Sequence, residues 1–335
     1  MSFLDILRAA VDGEELRPRE MEAALTAIFD EGVPDEQAAA FLTALRVRGE
    51  TTEELLAAIR FLKLRAKNIA SPEGAIDCCG TGGDGISTVN ISTAVAIVGA
   101  GAGLVMAKHG SRAVTSKSGS SEVLAQLGVD LTESIETQEK RLAEDGITFL
   151  FAPNHHPILA KVAPLRKTLN FRTMFNILGP MMNPAQARYQ LLGVFDNKLA
   201  PRFAEVLRAE GSKRAWVVHG AGGMDEISLA GGNEVTELKD GEIRQFVVTP
   251  EDAGLNRRGN ETLVGGTPEE NAAALRALLE GEKGAYRDAV LLNTAACMIV
   301  AGRTEDLAEG AALAAESIDS GAAKEKLRLM TEKKA

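Results

Sequence analysis

Residues 77–122, DCCGTGGDGISTVNISTAVAIVGAGAGLVMAKHGSRAVTSKSGSSE, decide how the rest of the chain is interpreted. They contain two glycine-rich loops separated by one apolar, helix-like run. The 37 residues between positions 84 and 122 include no Asp or Glu, although acids occupy 47 of the 335 positions. Glycines, hydroxyl side chains and cations fill this gap, and such residues can meet an anion through backbone N–H groups and side-chain donors. The stretch therefore predicts a site for a phosphate-rich ligand.

The elements around this stretch predict an α/β fold. Residues 75–79 are a short apolar strand pattern, residues 91–103 an apolar helix pattern, and residues 104–107 a second buried strand. Further strand patterns occur at 148–152, 189–194 and 215–219, and they alternate with helix patterns at 120–127, 135–145, 157–169 and 198–210. Such alternation predicts a mainly parallel, twisted sheet with helices on both faces.

The two ends of the chain differ from this central part. Residues 1–67 show four amphipathic helix patterns and no strand, and turn residues at 68–74 end them. Residues 234–248 predict a β-hairpin, and helix patterns follow at 269–279, 285–300, 307–317 and in a charged last segment. We therefore expect a small helical domain at 1–70, joined by part of 165–190, and a larger α/β domain at 71–335.

Composition argues against several classes of protein. A net charge of −10 and an aromatic content of 4% disfavour a nucleic-acid partner, which needs basic surface and stacking platforms. No apolar run reaches the roughly 18 residues of a membrane span, and the first residues lack the basic leader of a secretory signal. Three cysteines without disulfide or metal-ligand spacing favour a reducing, cytoplasmic location. We interpret the adjacent Cys78 and Cys79 as packing residues.

The first loop, GTGGDG at 80–85, matches the G-x-G-x-x-G pattern of dinucleotide-binding folds. Residues 86–90 separate its last glycine from the helix, however, and no acid follows at the distance where such folds bind ribose. The turn at 90–93 can hold a phosphate, or Mg²⁺ through Ser92, although Ser92 or Asn90 can also be a simple N-cap. The cations after the second strand lie where open α/β sheets place ligands, or they form a solvated basic loop.

Five motifs occur in order: GTGGDG at 80–85, NIST at 90–93, KHGSRAVTSKSGSSEVLAQLG at 108–128, LRKTLNFRTMFNILGPMMNPA at 165–185 and GMDEIS at 223–228. Together they resemble the anthranilate phosphoribosyltransferase family, over nearly the whole chain. The resemblance implies a fold like that of pyrimidine nucleoside phosphorylases and class III phosphoribosyltransferases, a small helical domain beside an α/β domain. It also implies phosphoribosyl transfer from phosphoribosyl pyrophosphate to anthranilate in tryptophan biosynthesis, with Mg²⁺, two ions when the donor is bound, and a homodimer.

The resemblance also assigns site residues by position. Phosphoribosyl pyrophosphate would be bound by Gly80, Gly83, Asp84, Thr88, Asn90, Ser92, Thr93, Lys108, His109, Gly110, Ser111, Arg112, Ala113, Val114, Thr115, Ser116 and Ser120. Anthranilate would contact Gly80, Ser111 and Arg166, and Mg²⁺ would bind Ser92, Asp225 and Glu226. As catalytic residues, Lys108 would hold the charge of the leaving diphosphate, and His109 would pack against the acceptor ring or relay its proton, unless it is a structural histidine.

Two positions depart from the family pattern. Ser111 stands where the family motif has an Asn that contacts anthranilate, and Asn170 stands where Gly is common. Serine is shorter and lacks the amide, so the acceptor contact must differ at this position. Alternatives are an ordinary polar turn for Asp225 and Glu226, and a helix-surface ion pair for Arg166. The rival functions are a pyrimidine nucleoside phosphorylase, whose KHSTGG-like loop this sequence lacks, and a nucleic-acid-binding module with a basic groove.

Overall fold

The computed structural model describes residues 1–113 and 117–334, and within them one seven-stranded sheet organises the larger part of the chain. Its strands are β1 (Ile76–Gly80), β2 (Met106–Gly110), β3 (Ile147–Phe151), β4 (Tyr189–Gly193), β5 (Arg214–His219), β6 (Asn233–Lys239) and β7 (Glu242–Val248). Strands β1 to β5 pair in parallel with one another, while β6 pairs antiparallel with both β5 and β7. The predicted parallel sheet and the predicted hairpin are therefore both confirmed.

The order of the strands fixes where a ligand can bind. They lie side by side as β3-β2-β1-β4-β5-β6-β7, so the chain leaves β1 toward one side of the sheet and returns after β3 to the other side. In open α/β sheets the crevice outside the carboxyl ends of the strands at such a switch point is the usual ligand site. Here β1 and β4 flank the switch point, and their last residues, Gly80 and Gly193, are paired in register.

Helices cover both faces of the sheet and form the amino-terminal part. In the amino-terminal half they are α1 (Phe3–Val11), α2 (Pro18–Thr26), α3 (Asp35–Arg48), α4 (Thr52–Lys63), α5 (Ile91–Gly101), α6 (Ser120–Gln126), α7 (Ile135–Glu144) and α8 (Ala152–His155). They continue with α9 (Ala163–Leu169), α10 (Met174–Leu178), α11 (Ala200–Ala209), α12 (Pro268–Leu279), α13 (Ala285–Val300), α14 (Leu307–Asp319) and α15 (Ala322–Thr331). The strong helix predictions are thus confirmed, to within a few residues at their ends.

The amino-terminal helices are defined by local signals. Ser2 caps α1 and Thr51 caps α4, each in a capping box with the acid three residues later. Helix α2 runs into a π-helical turn, Ala27–Glu31, which Gly32 ends in a left-handed conformation. Residues 1–67, all of which the structure describes, contain four α-helices and no strand, as predicted.

The segment of residues 157–182 packs against these helices, in an apolar core that also includes side chains of β4 and β5. Leu165, Met174 and Phe175 are buried in the same apolar core as Phe29 and Phe61. The rings of Phe29 and Phe175 meet edge to face with centroids 5.7 Å apart. On this packing we propose that the helical domain is residues 1–70 joined by part of 165–190.

One predicted helix, 157–169, is wrong as a single element. A 3₁₀ helix, Pro157–Val162, is followed by the separate helix α9. Pro164 lies in the first turn of α9, where its missing N–H costs nothing, and it cannot continue the helical hydrogen bonding from the preceding turn. Among the described residues, no helix is both long enough and apolar enough to cross a bilayer.

Candidate active site

A cavity of about 350 Å³ opens beyond the carboxyl ends of β1 and β2. The loop after β1, the first turn of α5 and the loop after β2 form one side of it. Residues between Ala152 and Met182 complete the lining, together with Asp225 and Glu226, which lie beside the first loop. The cavity therefore lies at the switch point of the sheet, where the fold predicts a ligand.

The structure brings the predicted site residues together in this cavity. Those that line it are Gly80, Gly83, Asp84, Thr88, Asn90, Ser92, Thr93, Lys108, His109, Gly110, Ser111, Arg112, Ala113, Ser120, Arg166, Asp225 and Glu226. The remaining three, Val114, Thr115 and Ser116, lie outside the described residues. The order of the motifs along the sequence thus corresponds to one place in the fold.

The first loop needs glycine for its backbone geometry. Gly82, Gly83 and Gly85 have φ values of 71°, 72° and 80°, in the left-handed region that side chains disfavour. Asp84 lies between them and accepts a hydrogen bond from the N–H of Ile86 at 3.0 Å. Successive left-handed glycines leave backbone N–H groups facing a common space, which is how such loops hold phosphates.

The start of α5 is not closed by a side-chain cap. Asn90 occupies the N-cap position but makes no capping hydrogen bond; its side chain binds Asn271 at 2.9 Å instead. The N–H of Ser92, in the first turn, donates to Glu226 Oε1 at 3.2 Å. The alternative in which Asn90 serves as a simple N-cap is therefore wrong. The positive end of α5 and the hydroxyl groups of its first turn face the cavity.

Asp225 and Glu226 lie between the first loop and α5. Asp225 Oδ2 accepts a hydrogen bond from the N–H of Gly82 at 2.6 Å. Burial, together with the charge of Asp84, raises the pKa of Asp225 to about 7. Burial and the charge of Asp225 raise the pKa of Glu226 to about 8. Acids crowded in this way are costly to keep ionised without a cation, so the arrangement differs from an ordinary surface turn.

Glycines at the ends of β1 and β4 make room for these acids. A Cβ atom built on Gly80 would overlap the Asp225 carboxylate, and one built on Gly193 would overlap the Asp225 backbone. Gly193 was not among the predicted site residues, because its role depends on a turn 32 positions later in the sequence. The ends of β1 and β4 together leave the space that Asp225 occupies.

The second loop begins with a buried cation. Lys108 on β2 is buried, and its Nζ donates to the carbonyl of His109 at 2.9 Å. The N–H of His109 donates to Asp77 Oδ1 at 3.0 Å, which holds the strand end in place. Beyond it, a Cβ atom on Gly119 would overlap the backbone of Arg112 and Ala113, so the loop folds closely onto the start of α6.

The histidine wall, formed by the rings of His109 and His156, is another part of the cavity lining, which also includes Arg166. The rings of His109 and His156 meet edge to face with centroids 5.4 Å apart. Burial, together with the neighbouring His156, lowers the pKa of His109 well below its ordinary value, so its ring is neutral. Arg166 is half-buried, and within the described residues its guanidinium has no hydrogen-bond acceptor or ion-pair partner. Within residues 1–113 and 117–334, the alternative of a helix-surface ion pair for Arg166 is therefore wrong.

Several residues of the cavity were missed by the sequence analysis. They are His156, Arg172, Phe175, Asn176, Pro180 and Met182. His156 has no metal-ligand spacing in the sequence, and packing brings its ring to that of His109. The others lie within the quoted motif at 165–185, which was the one available signal for them.

Replacing His156 by Gln is expected to reduce the acid sensitivity of folding. Burial, with His155, lowers the pKa of His156 to about 4, so the unfolded chain takes up a proton at higher pH than the folded one. This contribution to stability is complete above pH 6.5 and is lost as the pH falls toward 4. Between pH 7 and pH 5, wild type should lose about 2 kcal/mol more than His156→Gln. Urea unfolding at both pH values measures it, and equal losses would contradict the assignment.

Among the described residues, no group of three or more His, Cys, Asp or Glu side chains is assembled to hold a metal ion by itself. Asp225, Glu226 and the hydroxyl of Ser92 nevertheless share one end of the cavity. Mg²⁺ is commonly bound by one or two carboxylates together with substrate phosphates.

Burial raises the pKa of the Cys79 thiol well above its ordinary value, in keeping with packing rather than nucleophilic attack.

Comparison with known proteins agrees with the fold. Residues 72–324 match the family model described as "Glycosyl transferase family, a/b domain", and residues 4–66 match "Glycosyl transferase family, helical bundle domain". The anthranilate phosphoribosyltransferase of Parvibaculum lavamentivorans is 50% identical over 325 residues, which cover 97% of this chain and 95% of the relative. That of Rhodospirillum rubrum is 50% identical and covers 97% and 94%.

Solved structures extend the comparison to three dimensions. Anthranilate phosphoribosyltransferase from Thermus thermophilus superposes with a TM-score of 0.91 at 42% identity, covering 98% of both chains. The enzyme from Saccharomyces cerevisiae in complex with PRPP and Mg has a TM-score of 0.90 at 29% identity, covering 98% of this chain and 96% of that one. With these identities over nearly its whole length, the chain belongs to the anthranilate phosphoribosyltransferase family and is an enzyme that transfers a pentosyl group.

Proposed function

We infer that this chain transfers the phosphoribosyl group of phosphoribosyl pyrophosphate to the amine of anthranilate, releasing pyrophosphate, as a step of tryptophan biosynthesis. One observation carries the inference: a single cavity is lined by a left-handed glycine loop beside two acids and by Arg166, whose guanidinium has no partner among the described residues. One end suits a diphosphate and the other a carboxylate. The yeast relatives with PRPP and Mg, and with 4-fluoroanthranilate, have the same fold.

The donor would lie between the two loops. The first loop and the positive end of α5 would bind its diphosphate, through N–H groups other than those of Gly82 and Ser92, which donate to Asp225 and Glu226. The hydroxyls of Thr88, Ser92 and Thr93 lie in the same lining. Lys108 and residues 109–113 and 120 would continue this site along the second loop. No acid lies between positions 84 and 122, which keeps carboxylate repulsion away from a highly charged substrate.

The acceptor would lie against Arg166 and the histidine wall. Arg166 has a planar fork of donors that suits the anthranilate carboxylate, and burial of the guanidinium strengthens such a bond. The neutral rings of His109 and His156, with Met182, offer an apolar surface for the aromatic ring. Gly80 and Ser111 line the same cavity, in positions to limit or bind the acceptor.

Mg²⁺ fits the acidic end of the cavity. We propose that Ser92, Asp225 and Glu226 hold it jointly with the donor diphosphate, two ions binding when the donor is present. Burial and the neighbouring acids raise the pKa values of Asp225 and Glu226, so a cation bound beside them would favour their ionised forms. When bound, Mg²⁺ would neutralise negative charge on the diphosphate, both in the donor and as the diphosphate leaves.

The remaining chemistry would come from the residues of the chain. As the bond to the ribosyl C1 breaks, negative charge grows on the diphosphate, and Lys108 and the loop N–H groups would stabilise it. The amine of anthranilate is already a nucleophile, so Arg166 and the histidine wall would contribute chiefly by holding it in line with C1. His109 would pack its neutral ring against the acceptor; its lowered pKa makes it a weak proton acceptor, which favours packing over the alternative role of proton relay.

Replacing Ser111 by Asn is expected to lower the KM for anthranilate up to about fivefold, the value of one added neutral hydrogen bond, or to leave it unchanged. Ser111 is exposed to the cavity, and its backbone carbonyl already accepts a bond from the Ser120 hydroxyl at 3.3 Å. A longer amide has room to extend from this anchored position. Steady-state kinetics at saturating donor measures the change, and a rise of tenfold or more would show that the acceptor binds elsewhere.

Oligomerisation and location are part of the proposal. Leu4 and Val11 on α1 and Val47 on α3 are exposed, and the two helices are packed together through Phe3 and Phe41. We propose that a second copy of the chain covers this apolar face in a homodimer. Cys78, Cys79 and Cys297 are free thiols, which favours a reducing cytoplasmic location.

The function is tested by the fluorescence of anthranilate. On mixing with phosphoribosyl pyrophosphate and Mg²⁺, its signal should fall only when donor and enzyme are both present. A pyrimidine nucleoside phosphorylase would instead consume a nucleoside and phosphate and leave the signal intact. A nucleic-acid-binding module would leave it intact as well and would shift a labelled oligonucleotide, so either result would reject the proposal.

A further inference from the structure

Arg172 is a cation of the cavity that the family motifs do not assign to a substrate. It follows α9 in the short connection to α10, so it belongs to the segment that packs on the helical part. Its side chain crosses to the α/β part, where its guanidinium carbon lies 3.8 Å from the centroid of the Phe195 ring. Stacking on a ring fixes the plane of a guanidinium while leaving its edge donors free.

The free edge of Arg172 is close to the first loop. A Cβ atom built on Gly83 would overlap the Arg172 guanidinium, so only a glycine allows this approach. Gly83 is also one of the left-handed glycines that line the cavity. The guanidinium therefore borders the space in which the loop would hold a phosphate.

Within the described part of the chain, the donors of the Arg172 guanidinium have no acceptor. Within residues 1–113 and 117–334, its guanidinium makes no hydrogen bond and lies in no ion pair within 4 Å, although Asp84 and Asp225 are near enough to attract it. If its role were to neutralise these acids, a direct ion pair would be expected. A half-buried guanidinium with unused donors is costly to maintain, which points to an anion that arrives from outside.

Arg166 and Arg172 both line the cavity, and neither has a hydrogen-bond or ion-pair partner within residues 1–113 and 117–334. Arg172 borders Gly83, and the charges of Asp84 and Asp225 act on it. Lys108 is a less adaptable partner for a ligand, because its Nζ is already bonded to the His109 carbonyl. The different positions of the two arginines suit different substrate anions.

Resting on the proposed function, we propose that Arg172 binds the diphosphate of phosphoribosyl pyrophosphate through a charge-assisted fork, opposite the N–H groups of the first loop. Phe195 is a positioning residue that holds the fork in its plane. Because charge on the diphosphate grows as the bond to C1 breaks, the contact strengthens toward the transition state. Arg172 then contributes to both donor affinity and turnover.

The test measures binding of inorganic pyrophosphate with Mg²⁺ by calorimetry, which needs no turnover. Arg172→Gln is expected to raise the Kd for pyrophosphate about 30-fold, the effect of losing a charge-assisted hydrogen-bonded contact. Arg172→Lys keeps the charge without the fork and should fall between wild type and Arg172→Gln. Phe195→Leu, which removes the stacking surface, should also weaken binding, by a smaller factor. Circular dichroism confirms that each variant is folded at the temperature of the titration.

Controls separate this contact from its alternatives. Arg166→Gln should raise the KM for anthranilate and leave pyrophosphate binding within twofold of wild type, while Arg188→Gln, an exposed arginine outside the cavity, should change neither. Ribose 5-phosphate is the second probe: if Arg172→Gln weakens its binding and spares pyrophosphate, the assignment to the diphosphate is overturned. Unchanged pyrophosphate binding by folded Arg172→Gln overturns the proposal entirely. If wild type binds pyrophosphate but does not consume anthranilate, the proposed function is rejected. The assignment of Arg172 to the diphosphate is then still decided by the pyrophosphate titration of wild type and Arg172→Gln.

Discussion

Replacing Asp225 by Asn together with Glu226 by Gln is expected to lower kcat at least about 1,000-fold at low Mg²⁺, since the double variant removes the charged metal ligands and the leaving group loses its main electrostatic support. The amides keep the shape of the carboxylates, so the protein should remain folded. Hydrogen bonds from Gly82 and Ser92 can still be accepted by the amide oxygens. The loss should therefore appear in turnover and not in folding.

The expected effect on stability makes this prediction specific. Burial and mutual repulsion raise the pKa values of both acids, so their charged forms are unfavourable in the folded protein without metal. Removing the charges should leave the melting temperature in EDTA equal to that of wild type or higher. Adding Mg²⁺ with pyrophosphate should stabilise wild type and have little effect on the double variant.

Kinetics across Mg²⁺ concentrations and thermal unfolding in parallel provide the measurement. Glu251 and Asp252 form a matched control, because they are adjacent in the sequence, like Asp225 and Glu226, but lie outside the cavity. Glu251→Gln with Asp252→Asn should retain activity within a factor of about three, as surface substitutions usually do. Near-normal turnover of the Asp225→Asn, Glu226→Gln variant at low Mg²⁺ would show that the metal is held by other groups.

Much of the fold follows from local sequence. The hairpin of β6 and β7 is an example, since Asp240 and Gly241 take φ values of 51° and 87°, the left-handed pair that a two-residue turn requires. The capping boxes at Ser2 and Thr51 likewise mark helix starts within four residues. Alternating strand and helix patterns then determine the parallel sheet, because parallel strands need a crossover between them. Such features are predictable since every interacting group lies close along the chain.

The candidate site was only partly predictable for the opposite reason. Glycine loops and adjacent acids have their own patterns, but His156 and Arg172 become part of the cavity through packing of the segment 157–182 against the helical part. Neither has a spacing that indicates a ligand. Asn170 illustrates a smaller case: it ends α9 at a φ of 50°, which accounts for glycine as the common residue there and for asparagine as a tolerated one. Long-range packing of this kind leaves no short sequence pattern.

Replacing Gly193 by Ala is the second large effect that we expect. Gly193 ends β4 beside Gly80 of β1, and an added Cβ would overlap the backbone of Asp225. A clash with backbone cannot be relieved by a side-chain rotation, so the turn carrying Asp225 must move. Overpacking of this type costs about 1–3 kcal/mol of stability, and a displacement of about 1 Å at a catalytic centre can cost 100-fold in rate.

The variant Gly193→Ala should accordingly lose about 100-fold in kcat while remaining folded, with a lowered melting temperature. Its requirement for Mg²⁺ should shift to higher concentration, because the displaced Asp225 is a poorer ligand. Gly231→Ala is the matched control: its φ is not in the left-handed region, and its added Cβ would meet only the Ala221 side chain at 3.7 Å. Steady-state kinetics at several Mg²⁺ concentrations decides the matter. If Gly193→Ala keeps activity within threefold of Gly231→Ala, the paired strand ends do not position Asp225, and the acids act from a place that tolerates movement.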